Sequence, residues 1–490
     1  MRNRKAIVVG AGIAGIATAI RLAVKGFDVE VHEKNSVAGG KMYSIEKGGY
    51  TFDAGPSLFT QPVNLEELFS LAGEDINAYF KYRALPLACR YFFETGKLVN
   101  AYTSRDAFAD EMENQLGEPK ANVHRYLENA ERVYEDVGQI FLNFSLHKAS
   151  TWLHPRVFKA LSSVKMPYLF NTLNEFNHQQ FSTPEAVQIF NRFATYNGSN
   201  PYSAPGMLSL IPHLEQNQGT FYPEGGMISI PNALIALAKK KGVQFVLKSE
   251  VEEIVVENKS IKGIQSTSGF RPADIVVSNV DTYFSYKNLL KNPDAAKKVL
   301  KNERSSSAYI FYWGVKKSFP ELHLHNIFFS KNYQEEFDHL FVKKKFYSDP
   351  TIYINITSKM EAGHAPQNAE NWFVMVNAPA HTEMDWDVLR NELRINVISK
   401  LNSMLSTDLS SHIEVEEVLS PLDIEQQTAS FKGSLYGTSS NSKWAAFLRQ
   451  ANFSSNVKGL YFTGGSVHPG GGIPLCLKSA KIVSDMIGSA

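Results

Sequence analysis

The order of hydrophobic and polar positions gives the first outline. Ala6–Gly10 (AIVVG) is a β-branched apolar run that predicts a strand buried on both faces. Ile13–Lys25 has the composition of a helix, with Gly26 placed to end it, and Asp28–Lys34 (DVEVHEK) alternates as a second parallel strand. Together they predict a βαβ unit at the N-terminus. Helical patterns recur at Asn64–Ala72, Ser104–Leu116 and Lys120–Leu142. A second α/β stretch follows: helix Pro231–Lys241, strand Val243–Lys248, a hairpin-like pair Val251–Val256 and Ser260–Gln265, and buried strand Ala273–Val280. From Ser305 to Pro379 strand runs dominate (AYIFYWGVK, NIFFSK, TIYINIT, WFVMVNAP), and Trp386–Leu405 then reads as an amphipathic helix. Gly459–Gly464 and Leu475–Ile487 close the chain as strand and helix. The expected class is α/β, with a discontinuous domain of residues 1–63, 223–285 and 450–490. An α+β domain of residues 64–222 and 286–449 is inserted into it.

Composition narrows the chemistry. The length of 490 residues exceeds what one core supports. With 50 Lys+Arg against 49 Asp+Glu the net charge is +1, so the chain has no global electrostatic reason to bind nucleic acid. Aromatic residues make up 12%, which suits a large core or a greasy ligand tunnel. The two cysteines, Cys89 and Cys476, exclude a disulfide framework and a thiolate zinc site and point to a reducing compartment. The uncharged stretch Ala6–Ile20 runs into a helix bearing Arg21 and Lys25 without a cleavage site, unlike a secretory signal. Gly459–Leu477 and Phe193–Leu214 are uncharged too, but glycine and proline break them, so neither predicts a membrane span. The expected location is the cytoplasm, in solution or peripheral to a membrane.

The chemistry begins at GAGIAG. Gly10, Gly12 and Gly15 follow a strand and open a helix: the first permits a tight turn, the second lets backbone approach a pyrophosphate, and the third lets helix pack on strand. The helix start, including Ala14, offers N–H groups to phosphate. Glu33, at the end of the second strand and followed by Lys34, is placed to accept ribose hydroxyls, which favours FAD or NAD over NADP. Gly39-Gly40-Lys41 and Asp53-Ala54-Gly55-Pro56-Ser57, with Leu58 next, suit a bulkier pyrophosphate cofactor running deep into the protein.

These segments resemble the start of the FAD-dependent amine-oxidase-like superfamily, and within it the bacterial phytoene-desaturase-like carotenoid desaturases. Tyr461-Phe462-Thr463-Gly464-Gly465, then His468-Pro469-Gly470-Gly471-Gly472-Ile473-Pro474, resemble the flavin-end signature of that family. The resemblance extends through Pro223–Met227, Arg192–Gly198 and Ser278–Asp281, and so over nearly the whole chain. It implies a Rossmann-like FAD-binding domain. It also implies cofactor contacts at Gly10, Gly12, Ala14, Gly15, Glu33, Lys34, Gly40, Lys41, Gly55–Leu58, Val251, Asn279, Asp281, Gly464, Gly465, Gly472 and Ile473. Thr195–Gly198 and Ser434–Gly437 lean toward the 1-hydroxycarotenoid 3,4-desaturase branch. Arg449-Gln450-Ala451-Asn452 departs from the Arg-Pro-x-Asn of relatives.

The branch implies hydride transfer to flavin from carbon 4 of a 1-hydroxycarotenoid, giving a C3–C4 double bond. Alternatives are a phytoene desaturase, a carotenoid isomerase, an amine or porphyrinogen oxidase, and a flavin-free prenyl-binding escort protein. Arg192 and Tyr196 are candidate substrate contacts, with an ion pair as the competing role for Arg192. No catalytic base and no metal site is assigned, and oxygen or a quinone would reoxidise the flavin. His323 and His325 read as two exposed strand histidines, and His468 as a residue that shapes its loop. Phe141–Phe170 is read either as a membrane-contacting segment or as an amphipathic core helix pair. It interleaves Phe141, Phe144, Leu146, Trp152, Leu153, Phe158, Leu161, Tyr168 and Phe170 with Lys148, Arg156, Lys159 and Lys165.

Overall fold

Alternation along Lys5–Val9 decides the first layer. Ala6 and Val8 face one core while Ile7 and Val9 face another, so the strand is covered on both sides. The computed structural model describes residues 4–153, 155, 157, 160, 166–381, 383–442 and 449–490. Lys5–Val9 is the centre of a five-stranded parallel sheet in the order Leu460–Phe462, Ile275–Ser278, Lys5–Val9, Asp28–His32, Gln244–Val246. Helices Ile13–Val24, Ser229–Lys240 and Ile473–Met486 cover one face. The antiparallel strands Val251–Glu257, Ser260–Ser266 and Gly269–Pro272 supply part of the other core through Val251, Ile254, Ile261 and Ile264. Helix Val63–Leu71 also packs into the first core through Leu65, Leu68 and Phe69, so a boundary drawn at residue 63 cuts through this layer.

A seven-stranded sheet forms the second half. Its order is Ile413–Leu419, Ser307–Val315, Glu370–Ala378, Ile352–Asn355, His325–Phe328, Leu87–Phe92, Leu98–Tyr102. Helix Trp386–Leu405 spans the expected residues and lays Trp386, Leu393, Val397 and Leu401 on the face formed by Phe311, Trp313, Trp372 and Val374. The opposite face receives a hairpin, Tyr43–Lys47 with Tyr50–Ala54, turned by Gly48 and Gly49 at positive φ. Tyr50 lies against Gly314, where an added Cβ would come within 2.6 Å of the ring.

Three local expectations are corrected. Between the helical patterns Asn64–Ala72 and Ser104–Leu116 the chain also forms strands Leu87–Phe92 and Leu98–Tyr102. The helix expected over Lys120–Leu142 is Lys120–Val133, a wide turn at Tyr134–Gly138, and Gln139–Asn143. The last helix begins at Ile473, because Pro474 needs no N–H acceptor in a first turn.

Candidate functional site

The parallel sheet places its carboxyl ends where the strand order reverses, and the glycine motif lies there. Gly10 (φ +96°) turns the chain out of the first strand. A Cβ on Gly15 would lie 2.2 Å from the Gly10 carbonyl oxygen, so only glycine lets helix Ile13–Val24 start this close. Gly12 is constrained differently from the sequence expectation. Its Cβ would meet the Asn279 side-chain oxygen at 2.8 Å, so the protein's own amide occupies that space. Asn279 is a clamp. Its Oδ1 accepts from Gly15 N (3.1 Å) and its Nδ2 donates to the Thr463 carbonyl (3.1 Å), tying three chain segments at one point. A Cβ on Gly464 would strike this same amide nitrogen at 2.4 Å. Gly12→Val therefore breaks the clamp, and the purified variant is expected to lose bound flavin. Absorption of oxidised flavin at the wild-type ratio to protein would contradict this.

Glu33 is buried at the end of the second strand. Its Oε2 accepts from Ala11 N (2.8 Å) and its Oε1 from Asn35 N (2.9 Å). The carboxylate thus fixes the glycine loop. The segment leading into Val251 runs beside it, with Ser249 N bonded to the Glu33 carbonyl. Lys34 is exposed and donates to the Gln426 carbonyl at the surface.

The second glycine turn packs on the first. Gly39 N donates to the Ala11 carbonyl, and a Cβ on Gly40 would approach Gly12 Cα to 2.9 Å. Gly55 (φ +93°) lies against the Lys41 carbonyl in the same way. Lys41 reaches the Leu435 carbonyl (2.8 Å), and burial pulls its ammonium down to about 8 despite Asp281 nearby. Asp281 pairs with Arg304, which also donates to Ser434 Oγ (2.7 Å).

The C-terminal glycine loop completes this end. Gly465 backs onto Gly471, and Gly472 (φ +107°) precedes helix Ile473–Met486 with open space where a Cβ would stand. A helix start with free N–H groups, a Cβ-less approach and a buried cation make a cradle for a large anionic cofactor, and the residues fit FAD. Lys41, Tyr353, Tyr436 and Cys476 keep part of their surface accessible although they lie deep in the fold, and burial dominates their ionisation.

Arg192 is held by Glu215 (3.0 Å) and Tyr91 (2.7 Å) and stacked by Tyr91, Phe193 and Tyr196. The Tyr196 hydroxyl donates to the Glu215 carboxylate. The ion pair weighed as the competing role for Arg192 is therefore present, and the polar atoms of Tyr196 are engaged in it. Ser57 bonds to Tyr353 (2.8 Å), which bonds to His325 Nδ1 (2.8 Å). His325 is buried, unlike the exposed strand residue expected, and His323 alone is exposed. No metal-ligating group of three His, Cys, Asp or Glu residues occurs among the described residues. Glu215, Tyr91 and Tyr353 went unread because no local pattern marks them; only the fold brings them together.

His468 is buried in the glycine loop with Nε2 bonded to the Phe144 carbonyl (2.9 Å). Burial pulls its imidazolium down to about 4, and that of His325 to about 3. Both pKa values are lowered by folding, so the unfolded chain binds more protons below its ordinary value of ~6.5. Stability is full above that pH and falls as pH drops toward 4, by about 1.4 kcal/mol per unit for each histidine. The His468→Asn variant is expected to show a shallower acid loss in melting temperature than wild type. An unchanged pH slope would contradict the assignment.

The two segments singled out as branch-like meet at this site. Ser306 N donates to the Gly198 carbonyl, Ser305 N to Gly437, and Asn197 Nδ2 to Ser440 (3.1 Å). The Tyr436 ring stands between Gly198 and Gly471. The departure at Gln450 falls in a bridge with Val467, while Arg449 donates to the Tyr436 carbonyl (2.8 Å).

A family model described as flavin containing amine oxidoreductase matches residues 13–487. The 1-hydroxycarotenoid 3,4-desaturase of Flavobacterium sp. (strain P99-3) is 47% identical over 484 residues, covering 99% of each chain. The 4,4'-diapolycopene oxygenase of Methylomonas sp is 33% identical over 490 residues, covering 99% of this chain and 98% of that one. Among solved structures, an oxidoreductase from Methanosarcina mazei superposes with a TM-score of 0.64 at 15% identity, over 98% of this chain and 100% of that one.

Proposed function

This chain belongs to the flavin-containing amine oxidoreductase family, and on that premise we propose that it is an FAD-dependent desaturase introducing the C3–C4 double bond into 1-hydroxycarotenoids. The observation that carries the reading is the full-length 47% identity to the Flavobacterium desaturase. The meeting of Thr195–Gly198 with Ser434–Gly437 beside the C-terminal glycine loop supports it.

In this reading residues 1–63, 223–285 and 450–490 hold FAD, and residues 64–222 and 286–449 hold the carotenoid. Glu33 takes the ribose hydroxyls, with Val251 beside the adenine and Lys34 at the rim. The N–H groups from Gly12 to Gly15, Gly40 and Lys41 take the pyrophosphate. Gly55–Leu58, Asn279, Asp281, Gly464, Gly465, Gly472 and Ile473 enclose the flavin end. When bound, FAD supplies a hydride acceptor. The chain's own work is to hold an allylic carbon still and to keep water out. Delocalisation of the developing cation along the polyene then lowers the cost of hydride loss. Phytoene, with a short triene, offers less of that help. Incubating the flavin-loaded enzyme with each substrate is expected to yield a product two daltons lighter from the 1-hydroxycarotenoid and little from phytoene. Efficient stepwise desaturation of phytoene, with the hydroxylated substrate untouched, would move the chain to the phytoene-desaturase branch.

The second element of the reading is peripheral membrane contact through Phe141–Phe170, since carotenoids partition out of water. No helix among the described residues is long and apolar enough to cross a membrane. Phe144, Trp152, Leu153, Met166 and Phe170 are 38%, 47%, 79%, 65% and 57% exposed, a concentration of large apolar side chains next to Lys148. Leu146 and Tyr168 instead point into the core, and Arg156, Phe158, Lys159, Leu161 and Lys165 lie outside the described residues. Substituting serine at Trp152, Leu153 and Phe170 together is expected to abolish flotation with anionic liposomes while the flavin spectrum persists. Equal flotation of wild type and variant would remove this segment from the account.

A further inference from the structure

A phenol with no hydrogen-bond partner among the described residues lies beside the glycine loop. The Tyr436 ring is wedged so tightly that a Cβ on Gly198 would stand 2.9 Å from its Cδ2, and one on Gly471 would stand 2.8 Å from its Cδ1. Its backbone is fixed as well: N–H donates to Ser305 Oγ (3.0 Å) and the carbonyl accepts from Arg449 (2.8 Å). Ring and backbone are therefore pre-positioned. The hydroxyl has no hydrogen-bond partner among the described residues, yet the residue keeps accessible surface deep in the fold. Burial pushes its pKa up to about 12, so the proton stays on oxygen and the group is a donor at neutral pH. Three other polar side chains of this region are bonded to neighbours. Tyr196 and Arg192 are bonded to Glu215, and Tyr353 to Ser57 and His325.

Resting on the function proposed above, we infer that Tyr436 is the residue that recognises the tertiary hydroxyl at carbon 1 of the substrate, donating a hydrogen bond to it. The substrate's own dimensions limit where that partner can be. Carbon 1 is two bonds from carbon 3, so its oxygen lies within roughly 4 Å of carbon 3. Whatever binds the hydroxyl must therefore border the reacting carbons, at the C-terminal glycine loop where Tyr436 stands against Gly471. In the Arg192–Glu215 pair the Nη1 and Nη2 groups are spent on Tyr196, Tyr91 and Glu215, and the donor left over, Arg192 Nε, has almost no accessible surface. A rigidly held donor with no partner among the described residues goes unpaired when the substrate lacks the hydroxyl, and such sites discriminate strongly.

The test is Tyr436→Phe, which keeps the ring in its slot. Wild type and variant are compared with a 1-hydroxycarotenoid and with the carotene of equal polyene length lacking the hydroxyl. Dissociation constants come from the shift of the carotenoid absorption bands on binding, and kcat/KM from product mass. Flavin content and its visible spectrum serve as the structural control. The expected result is that the preference for the hydroxylated ligand falls about tenfold or more in both ratios, with flavin content retained. An unchanged preference overturns the inference, as does an equal loss on both ligands accompanied by loss of flavin. If wild type converts the carotene but not the hydroxylated ligand, the proposed function fails, and this inference with it.

Discussion

Arg192→Ala is expected to destabilise the flavin-loaded protein by about 3–5 kcal/mol, because the Glu215 carboxylate would remain buried without its counter-charge. Glu215 is 1% exposed, and its remaining donors, Tyr196 and Gln216, are neutral. The size of the effect follows from desolvation, since an exposed pair of the same geometry would contribute under ~1 kcal/mol. Replacing both partners, Arg192→Met with Glu215→Leu, removes the charge along with the partner and should regain much of the loss. Thermal unfolding of the three proteins checks this. A double variant as unstable as Arg192→Ala would show that the pair does more than neutralise itself.

Glu33→Ala should release FAD rather than unfold the chain. Each Glu33 oxygen already holds one backbone N–H, from Ala11 and Asn35. Its loss leaves these two donors, and the ribose hydroxyls proposed to bond there, unpaired at about 1–3 kcal/mol apiece. The variant is expected to purify largely colourless, with normal far-ultraviolet circular dichroism. Gel filtration at dilute concentration followed by an absorption spectrum reads it directly. Full flavin occupancy would mean that the carboxylate serves the loop alone.

The two halves of the molecule differed in how far their sequence could be read. The parallel sheet was legible because Lys5–Val9 and Ile275–Ser278 are continuous apolar runs, and a strand buried on both faces has no other pattern. The glycine motif was legible for an equally local reason, although the role of Gly12 was not. The group that forbids a side chain there, Asn279, arrives from 267 positions along the chain, at the end of another strand. The hairpin Tyr43–Ala54 carried a local signal, Gly48-Gly49 between two alternating runs, that pattern reading passed over. Leu87–Phe92 and Leu98–Tyr102 are short and sit among helices, and their strand state comes from pairing with His325–Phe328 far along the chain. Of the polar cluster, the sequence marked Arg192 and Tyr196 but not Tyr91, Glu215 or Tyr353. Tyr91, Arg192, Glu215 and Tyr353 come from four separate segments, and nothing in the neighbourhood of any one of them indicates the others. Tyr436 is the intermediate case, in a turn noticed for its resemblance and given a physical role only by the slot between two glycines.

The most direct measurement of the central claim is a single turnover without oxygen. Flavin-loaded enzyme is mixed anaerobically with one equivalent of a 1-hydroxycarotenoid in liposomes, and the absorption of oxidised flavin is followed together with the carotenoid bands. The account predicts loss of the oxidised-flavin absorption at the same rate as a red shift of the carotenoid bands, with a product two daltons lighter. A lighter product formed while the flavin absorption stays constant, or bleaching with the carotenoid mass unchanged, would contradict it.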